Sequence, residues 1–204
     1  MKVVLTHYGE HDIEWATAFS DDITVYDRTD GSRLPDTVHR IPRENFGDAD
    51  FDRLSYLVDN YFDLPDIFLL SKSNLFKFIT PEEWDKVKDN KDFIPLLTQN
   101  HKTYSDKLGQ VCFYQDGMYY ERNDSWYLNE LPCKYATYGD FAREFHLPNP
   151  SYLPFAPGGN YILTKERVHR YGVDFYDRMR SILPYCERPG EAQCIERSLY
   201  TLWK

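Results

Sequence analysis

Apolar and polar positions follow two rhythms along this chain of 204 residues. Residues 2–8, KVVLTHY, form a continuous apolar run that ends in polar side chains, the pattern of a strand buried on both faces in a parallel sheet. Residues 22–28 (DITVYDR) and 66–70 (DIFLL) predict a second and a third strand. Helical spacing lies between and after them. His11 to Phe19 carries a weak apolar face of Ile13, Trp15, Ala16 and Phe19. The clearest amphipathic helix covers 48–61, where Phe51, Leu54, Leu57, Val58 and Tyr61 recur at three- and four-residue intervals. Leu64-Pro65 ends it. Thr80-Pro81-Glu82-Glu83 starts a helix to about Lys88, with Thr80 as cap, Pro81 in the first turn and Glu83 placed to close a capping box. A loop rich in Gly, Asp, Ser and Pro fills 29–42.

The second half is less regular. Residues 111–114 and 118–120 flank Gln115-Asp116-Gly117, a hairpin signal. Residues 135–145 predict a short helix, and 149–157, with three prolines, a loop. A short strand at 160–163 leads to Thr164, the cap of a helix running to about Leu183. The last helix follows Pro189-Gly190 and carries the stripe Ala192, Ile195, Leu199, Leu202 and Trp203. This order predicts one α/β domain over residues 1–204, with a central, mostly parallel mixed sheet flanked by helices. Ligands in such sheets bind beyond the carboxyl ends of the strands. Thr6-His7-Tyr8, Asp27-Arg28 and Ser71-Lys72-Ser73-Asn74 lie just past three such ends and are expected to be neighbours.

Composition narrows the function classes. Hydrophobic residues make up 42% and charged residues 28%, the balance of a globular chain. Aromatic residues reach 17%, and rings in that number both fill cores and line sugar-binding clefts. The net charge of −9 argues against non-specific nucleic-acid binding, which depends on phosphate neutralisation by Lys and Arg. A single diphosphate needs only a local cation. The four cysteines lack C-x-x-C spacing and read as reduced thiols. The opening apolar run is too short for a signal-peptide core, and nothing predicts a membrane segment, so the expected compartment is the cytoplasm. The chain ends inside its last helix, as a domain cut from a longer protein would.

No G-x-G-x-x-G, P-loop, G-x-S-x-G or H-E-x-x-H occurs. Asp27-Arg28 reads either as a contact to a nucleotide base or ribose or as a surface ion pair. Arg43, with Asn45 beside it, reads as a bidentate partner for a diphosphate or as a loop salt bridge. Asp48-Ala49-Asp50 has the D-x-D spelling of a metal site, but acids at a helix start are favoured by the dipole alone. Ser71, Lys72, Ser73 and Asn74 could hold phosphate or sugar oxygens. Gly158-Gly159-Asn160 lets backbone approach a ligand on the acceptor side. Glu191, in the first turn of the last helix and on the face of Ile195, is the first choice for a catalytic base, and Glu196 the second.

The segments VVLTHYGEHDIEWA, ITVYDR, IPRENFGDADFDRLSYLVDNYFDLPDIFLL, PGGNYILTKERV and CIERSLYTLW, in this order, resemble the DUF3431 proteins, which look like GT-A glycosyltransferases. The chain is also similar to the amino-terminal glycosyltransferase domain of chlorella-virus proteins that glycosylate the capsid. The likeness covers roughly residues 2–75 and 150–204. It implies a GT-A fold and transfer of a sugar from a nucleotide-sugar, UDP-linked, to a glycan or glycoprotein acceptor, in the host cytoplasm if the source is viral. It places His7-Tyr8 and Asp27-Arg28 at the nucleotide, and Arg43 and Asn45 at the diphosphate or ribose, with Thr6 on the donor-binding side by its place at the strand end. The family's metal-binding D-x-D position here reads Ser71-Lys72-Ser73, so either Mn2+ or Mg2+ is held by one acid and the diphosphate, or Lys72 supplies the charge. Two other functions compete: a non-catalytic carbohydrate-binding or assembly module, and a sugar nucleotidyltransferase.

Overall fold

The computed structural model describes residues 1–9, 11–98 and 103–204. Its elements, in chain order, are β1 (Lys2–His7), α1 (Glu14–Phe19), β2 (Ile23–Asp27), β3 (His39–Pro42), α2 (Asp48–Asp59), β4 (Ile67–Lys72), α3 (Pro81–Val87), β5 (Ile94–Pro95), β6 (Tyr104–Asp106), β7 (Gly109–Gln115), β8 (Met118–Arg122), α4 (Tyr138–Glu144), β9 (Tyr152–Phe155), β10 (Tyr161–Thr164), α5 (Lys165–Val168), α6 (Val173–Ser181) and α7 (Gly190–Trp203). They build an α/β protein with two sheets. The larger runs β3-β2-β1-β4-β10-β5, and the smaller β6-β7-β8-β9. β3, β2, β1 and β4 are mutually parallel, whereas β10 is antiparallel to both β4 and β5.

Side chains of a strand alternate between faces, and the core divides accordingly. Val3 and Leu5 of β1, Ile23 and Val25 of β2, and Leu69 of β4 face α1 and α3, with Ile13, Ala16 and Trp84. Val4, Tyr26, Phe68 and Leu70 face the other way, onto Leu54 and Leu57 of α2 and the aliphatic stripe of α7. This second cluster continues without a break into the small sheet and α4. That continuity packs the two sheets against a shared core.

The predicted capping box of α3 is present: Thr80 Oγ1 accepts from Glu83 N at 3.2 Å, and Glu83 Oε2 accepts from Thr80 N at 3.0 Å. Two predicted loops contain strands. β3 lies within 29–42 and β9 within 149–157. Both are edge strands, and neither is buried on two faces. β9 even holds Pro154, which an edge tolerates because its outward side needs no N–H. The predicted helix over 164–183 is two helices, α5 and α6. The chain breaks at Gly172, the cap of α6, and the Val168 carbonyl at the end of α5 accepts from Tyr171 N at 3.2 Å and from Tyr176 Oη at 2.9 Å. No helix among the described residues is long and apolar enough to cross a membrane.

Candidate functional site

The strand order reverses between β1 and β4: the chain builds β2 and β3 to one side, then returns to place β4 on the other. A doubly wound sheet has its crevice at that switch point, beyond the carboxyl ends. In the alternation that sends Val4 and Leu70 toward α2, Thr6, Tyr8, Arg28 and Lys72 point the same way. The amino end of α2 meets them. Gly47, left-handed with φ +73°, turns the chain into the helix, and Asp48 follows at φ +53°. Asp48 Oδ1 accepts from Ala49 N at 2.5 Å and Tyr8 Oη at 3.2 Å, and lies 3.6 Å from Lys72 Nζ. Burial would raise this carboxyl, but the Lys72 charge, the Ala49 N–H and Arg53 outweigh it and hold Asp48 below the usual carboxylate range. One carboxylate thus bridges the tips of β1 and β4.

Arg28 was a candidate for the nucleotide, but all five of its donors are engaged by the protein. Nε and Nη2 bind Asp52 Oδ2 at 3.1 and 2.9 Å, Nη1 binds Asn45 Oδ1 at 3.2 Å and the Phe46 carbonyl at 2.9 Å, and Nη2 also binds the Asp48 carbonyl. Its side chain is 1% exposed. Arg28 therefore clamps the 45–48 turn and α2 to the sheet, with Asn45 as part of the clamp, and has no N–H left for a ligand. Thr6 lies against Asp52 behind it. Burial pushes Asp52 up to about 6 even beside Arg28 and Arg43.

His7 and Asp27 pair on the opposite face. His7 Nδ1 is 2.9 Å from Asp27 Oδ1, and Nε2 is 3.0 Å from the His11 carbonyl. Asp27 also accepts from Thr29 N, Thr29 Oγ1 and Arg40 Nε at 3.1, 2.8 and 2.7 Å. Burial would raise it, but the bonds from His7, Arg40 and Thr29 lower it. Both residues are fully buried, so this pair is neither a surface contact nor open to a base or ribose. Arg43 differs. Its guanidinium lies over the Tyr26 ring at 4.9 Å, its Nε is 3.8 Å from Asp52 Oδ1, and its side chain makes no hydrogen bond among the described residues.

Gly158-Gly159 packs on protein rather than on open space. A Cβ at Gly158 would sit 2.6 Å from the Phe78 ring, and one at Gly159 would sit 2.8 Å from Arg53 Cζ. Both have positive φ. Arg53, buried, pairs Nη1 with Asp50 Oδ1 at 2.6 Å and donates Nη2 to the Gly158 carbonyl. Burial pushes Asp50 up, with the Glu196 and Asp48 charges adding to it. Asn160 Oδ1 accepts from Ser71 Oγ at 3.0 Å and Lys72 N at 2.9 Å, tying β10 to the tip of β4. Ser73 N donates to the Thr6 carbonyl, and its own carbonyl accepts from Trp15 Nε1, both at 2.9 Å.

Two cavities adjoin this polar ridge. The first, about 350 Å³, lies on the α1 side of the β4 tip, lined by His11, Trp15, Ser73, Asn74, Phe76 and Lys77. Asn74 Oδ1 is buried without a hydrogen-bond partner. The second, about 490 Å³, lies between α7 and the small sheet, lined by Glu196, Arg197, Glu121, Trp126, Tyr104 and Phe155 among others. Pro157 lines it too, one residue before the carbonyl that holds Arg53. A further cavity, lined by Lys2, Asp22, Asp63 and Pro65, sits at the amino ends of the strands, away from the loops that carry chemistry.

The two acids of α7 have opposite surroundings. Glu191 is 1% exposed and accepts from Lys134 N at 2.7 Å and Tyr185 Oη at 2.5 Å. Its carboxylate pins the 132–135 segment to the helix start. Glu196 lines the cavity, bears electrostatically on Asp50 and Arg53, and has no hydrogen-bond or ion-pair partner among the described residues. Arg197 pairs instead with Glu121, Nε to Oε1 at 2.5 Å.

Sequence reasoning missed Asp52, Arg53, Glu121, Arg197 and Trp126. Three alternate acids followed by Arg in the first turns of α2 were the available signal, since polar residues buried there require partners. Glu121 and Arg197 lie 76 positions apart, and no local pattern joins them. A divalent cation does not suit the donor set. Asp48, Asp50 and Asp52 each face Lys72, Arg53 or Arg28, and no group of three metal-ligating side chains occurs among the described residues. The fold and this ridge define an α/β protein with a polar cluster at its switch point, adjoined by two cavities. No protein-family model, curated protein or solved structure matches the chain.

Proposed function

We propose that the protein is a GT-A-like glycosyltransferase, moving a sugar from a nucleotide-sugar donor, UDP-linked, to a hydroxyl of a glycan or glycoprotein. Glu196 carries the reading: alone among the candidate acids it has no partner among the described residues, and it faces a cavity beside the switch point. The nucleoside occupies the cavity at the β4 tip, where Asn74 Oδ1 accepts a hydrogen bond from it. Lys72 turns from Asp48 to the diphosphate, joined by Arg43, and these cations carry the charge in place of a metal ion. The acceptor oxygen bonds to the anomeric carbon and gives its proton to Glu196. The bond from that carbon to the diphosphate breaks, and its electron pair leaves on the phosphate oxygen beside Lys72. One displacement of this kind inverts the anomeric centre.

A melting scan against UDP, GDP, CDP and ADP, with manganese or with EDTA, tests the reading. UDP raises the melting temperature in both conditions, and Glu196→Gln lowers turnover roughly 10²–10⁴-fold without changing the UDP shift. No shift with any nucleoside diphosphate refutes it. The Asp48–Lys72 contact across the crevice supports a second reading, a non-catalytic carbohydrate-binding module, which predicts glycan binding with no nucleotide shift.

A further inference from the structure

The larger cavity has its own chemistry. Its lining includes the buried pair of Glu121 and Arg197, 4% and 5% exposed. Arg197 also gives Nη1 to the Gln193 carbonyl and Oε1 at 3.2 and 3.1 Å, and its guanidinium lies 3.7 Å from the centre of the Tyr127 ring. Its Nη2 has no partner among the described residues. Glu196, the preceding residue on α7, offers a carboxylate that is likewise unpartnered. Aromatic side chains line the same cavity: Phe155, buried, with the Arg197 guanidinium 4.9 Å from its ring centre, and Trp126 and Tyr104, 47% and 53% exposed.

The charges exclude a phosphate as occupant. The Arg197 charge is matched by Glu121, so Glu196 leaves the cavity net negative. A lone ammonium ion would meet Glu196 but would leave the Nη2 donor facing a like charge. A neutral pyranose satisfies both groups. One hydroxyl donates to Glu196, a neighbouring one accepts from Arg197 Nη2, and the C–H face of the ring covers Trp126.

We infer that this cavity is a saccharide subsite that binds one uncharged pyranose unit, with Trp126 as its stacking platform and Glu196 with Arg197 Nη2 as its hydroxyl fork. Binding stands on the cavity alone; only the further role of that pyranose as acceptor rests on the glycosyltransferase reading.

The probes are methyl glycosides of the common neutral hexoses and pentoses, with methyl glucuronide and tetramethylammonium as charged controls. Binding is read by saturation-transfer NMR and by tryptophan fluorescence. At least one neutral glycoside binds saturably and perturbs the fluorescence. Trp126→Ala weakens it roughly threefold to tenfold, the size of one lost ring contact, while Trp126→Phe keeps most of it. The exposed position of Trp126 leaves the fold intact in both variants, which an unchanged melting temperature verifies. Failure of every neutral glycoside to bind, tighter binding of tetramethylammonium, or equal affinity in Trp126→Ala overturns the subsite. The UDP melting shift is measured on the same samples. A UDP shift without glycoside binding removes the subsite alone, and glycoside binding without any nucleotide shift removes the glycosyltransferase reading and leaves the subsite.

Discussion

Replacing Arg28 by Met separates a structural clamp from a ligand contact. The substitution keeps an unbranched apolar stem, shortens the side chain by two atoms and removes five donors at once. It leaves Asp52 as a buried carboxylate with its main partner gone, and leaves the Phe46 and Asp48 carbonyls short of a bond. Breaking one side of a buried pair costs about 3–5 kcal/mol. For a chain of this size that corresponds to a fall in melting temperature of roughly 6–20 °C. Urea unfolding followed by circular dichroism gives the free energy, and an unchanged m-value shows that the same transition is compared. Pairing Arg28→Met with Asp52→Leu removes the stranded charge and restores more than half of the loss. A cost below about 1 kcal/mol, the range of an exposed ion pair, refutes the clamp.

The pH dependence of Asp52 adds a second readout. Its folded value of about 6 lies above the ordinary carboxylate value, so between about pH 4 and 6 the folded state keeps a proton that the unfolded state releases. The stability contributed by this group therefore falls as pH rises through that window and is level above it. Asp50 and other acids titrate nearby, so the comparison is wild type against Asp52→Asn. The variant lacks this component, worth on the order of 3 kcal/mol across the window. Identical pH slopes in the two proteins contradict the burial argument.

Two other substitutions test the scaffold around the site. Gly159→Ala puts a Cβ 2.8 Å from Arg53 Cζ at a backbone φ of +65°, and loses about 1–3 kcal/mol in chemical denaturation; a neutral result means that Arg53 is not held there. Glu191→Ala strands the Lys134 N–H and removes the Tyr185 contact, which costs about 2–4 kcal/mol of stability. Loss of turnover with unchanged stability in that variant returns the catalytic base to Glu191.

By itself the sequence determined the α/β layout, the three strands that converge at the switch point, the two clearest helix starts, and the set of polar tips. Those features are local: continuous apolar runs, helical spacing and a capping box report on backbone and burial within a few residues. The edge strand β3 escaped because it is too exposed to print a pattern, and β9 because the prolines in and around it read as a loop. Which tips are available was decided by tertiary structure alone. His7, Asp27 and Arg28 look as open in sequence as Arg43 and Lys72. Yet their polar atoms are engaged by Thr29, Arg40, Asp52 and the 45–48 turn, which only the folded register brings within hydrogen-bond distance. The same holds for the two acids of α7. Five residues along a helix rotate a side chain by about 140°, so Glu191 and Glu196 leave on different faces. What each face meets, a pinned loop for one and an open cavity for the other, is set by elements far away in the chain.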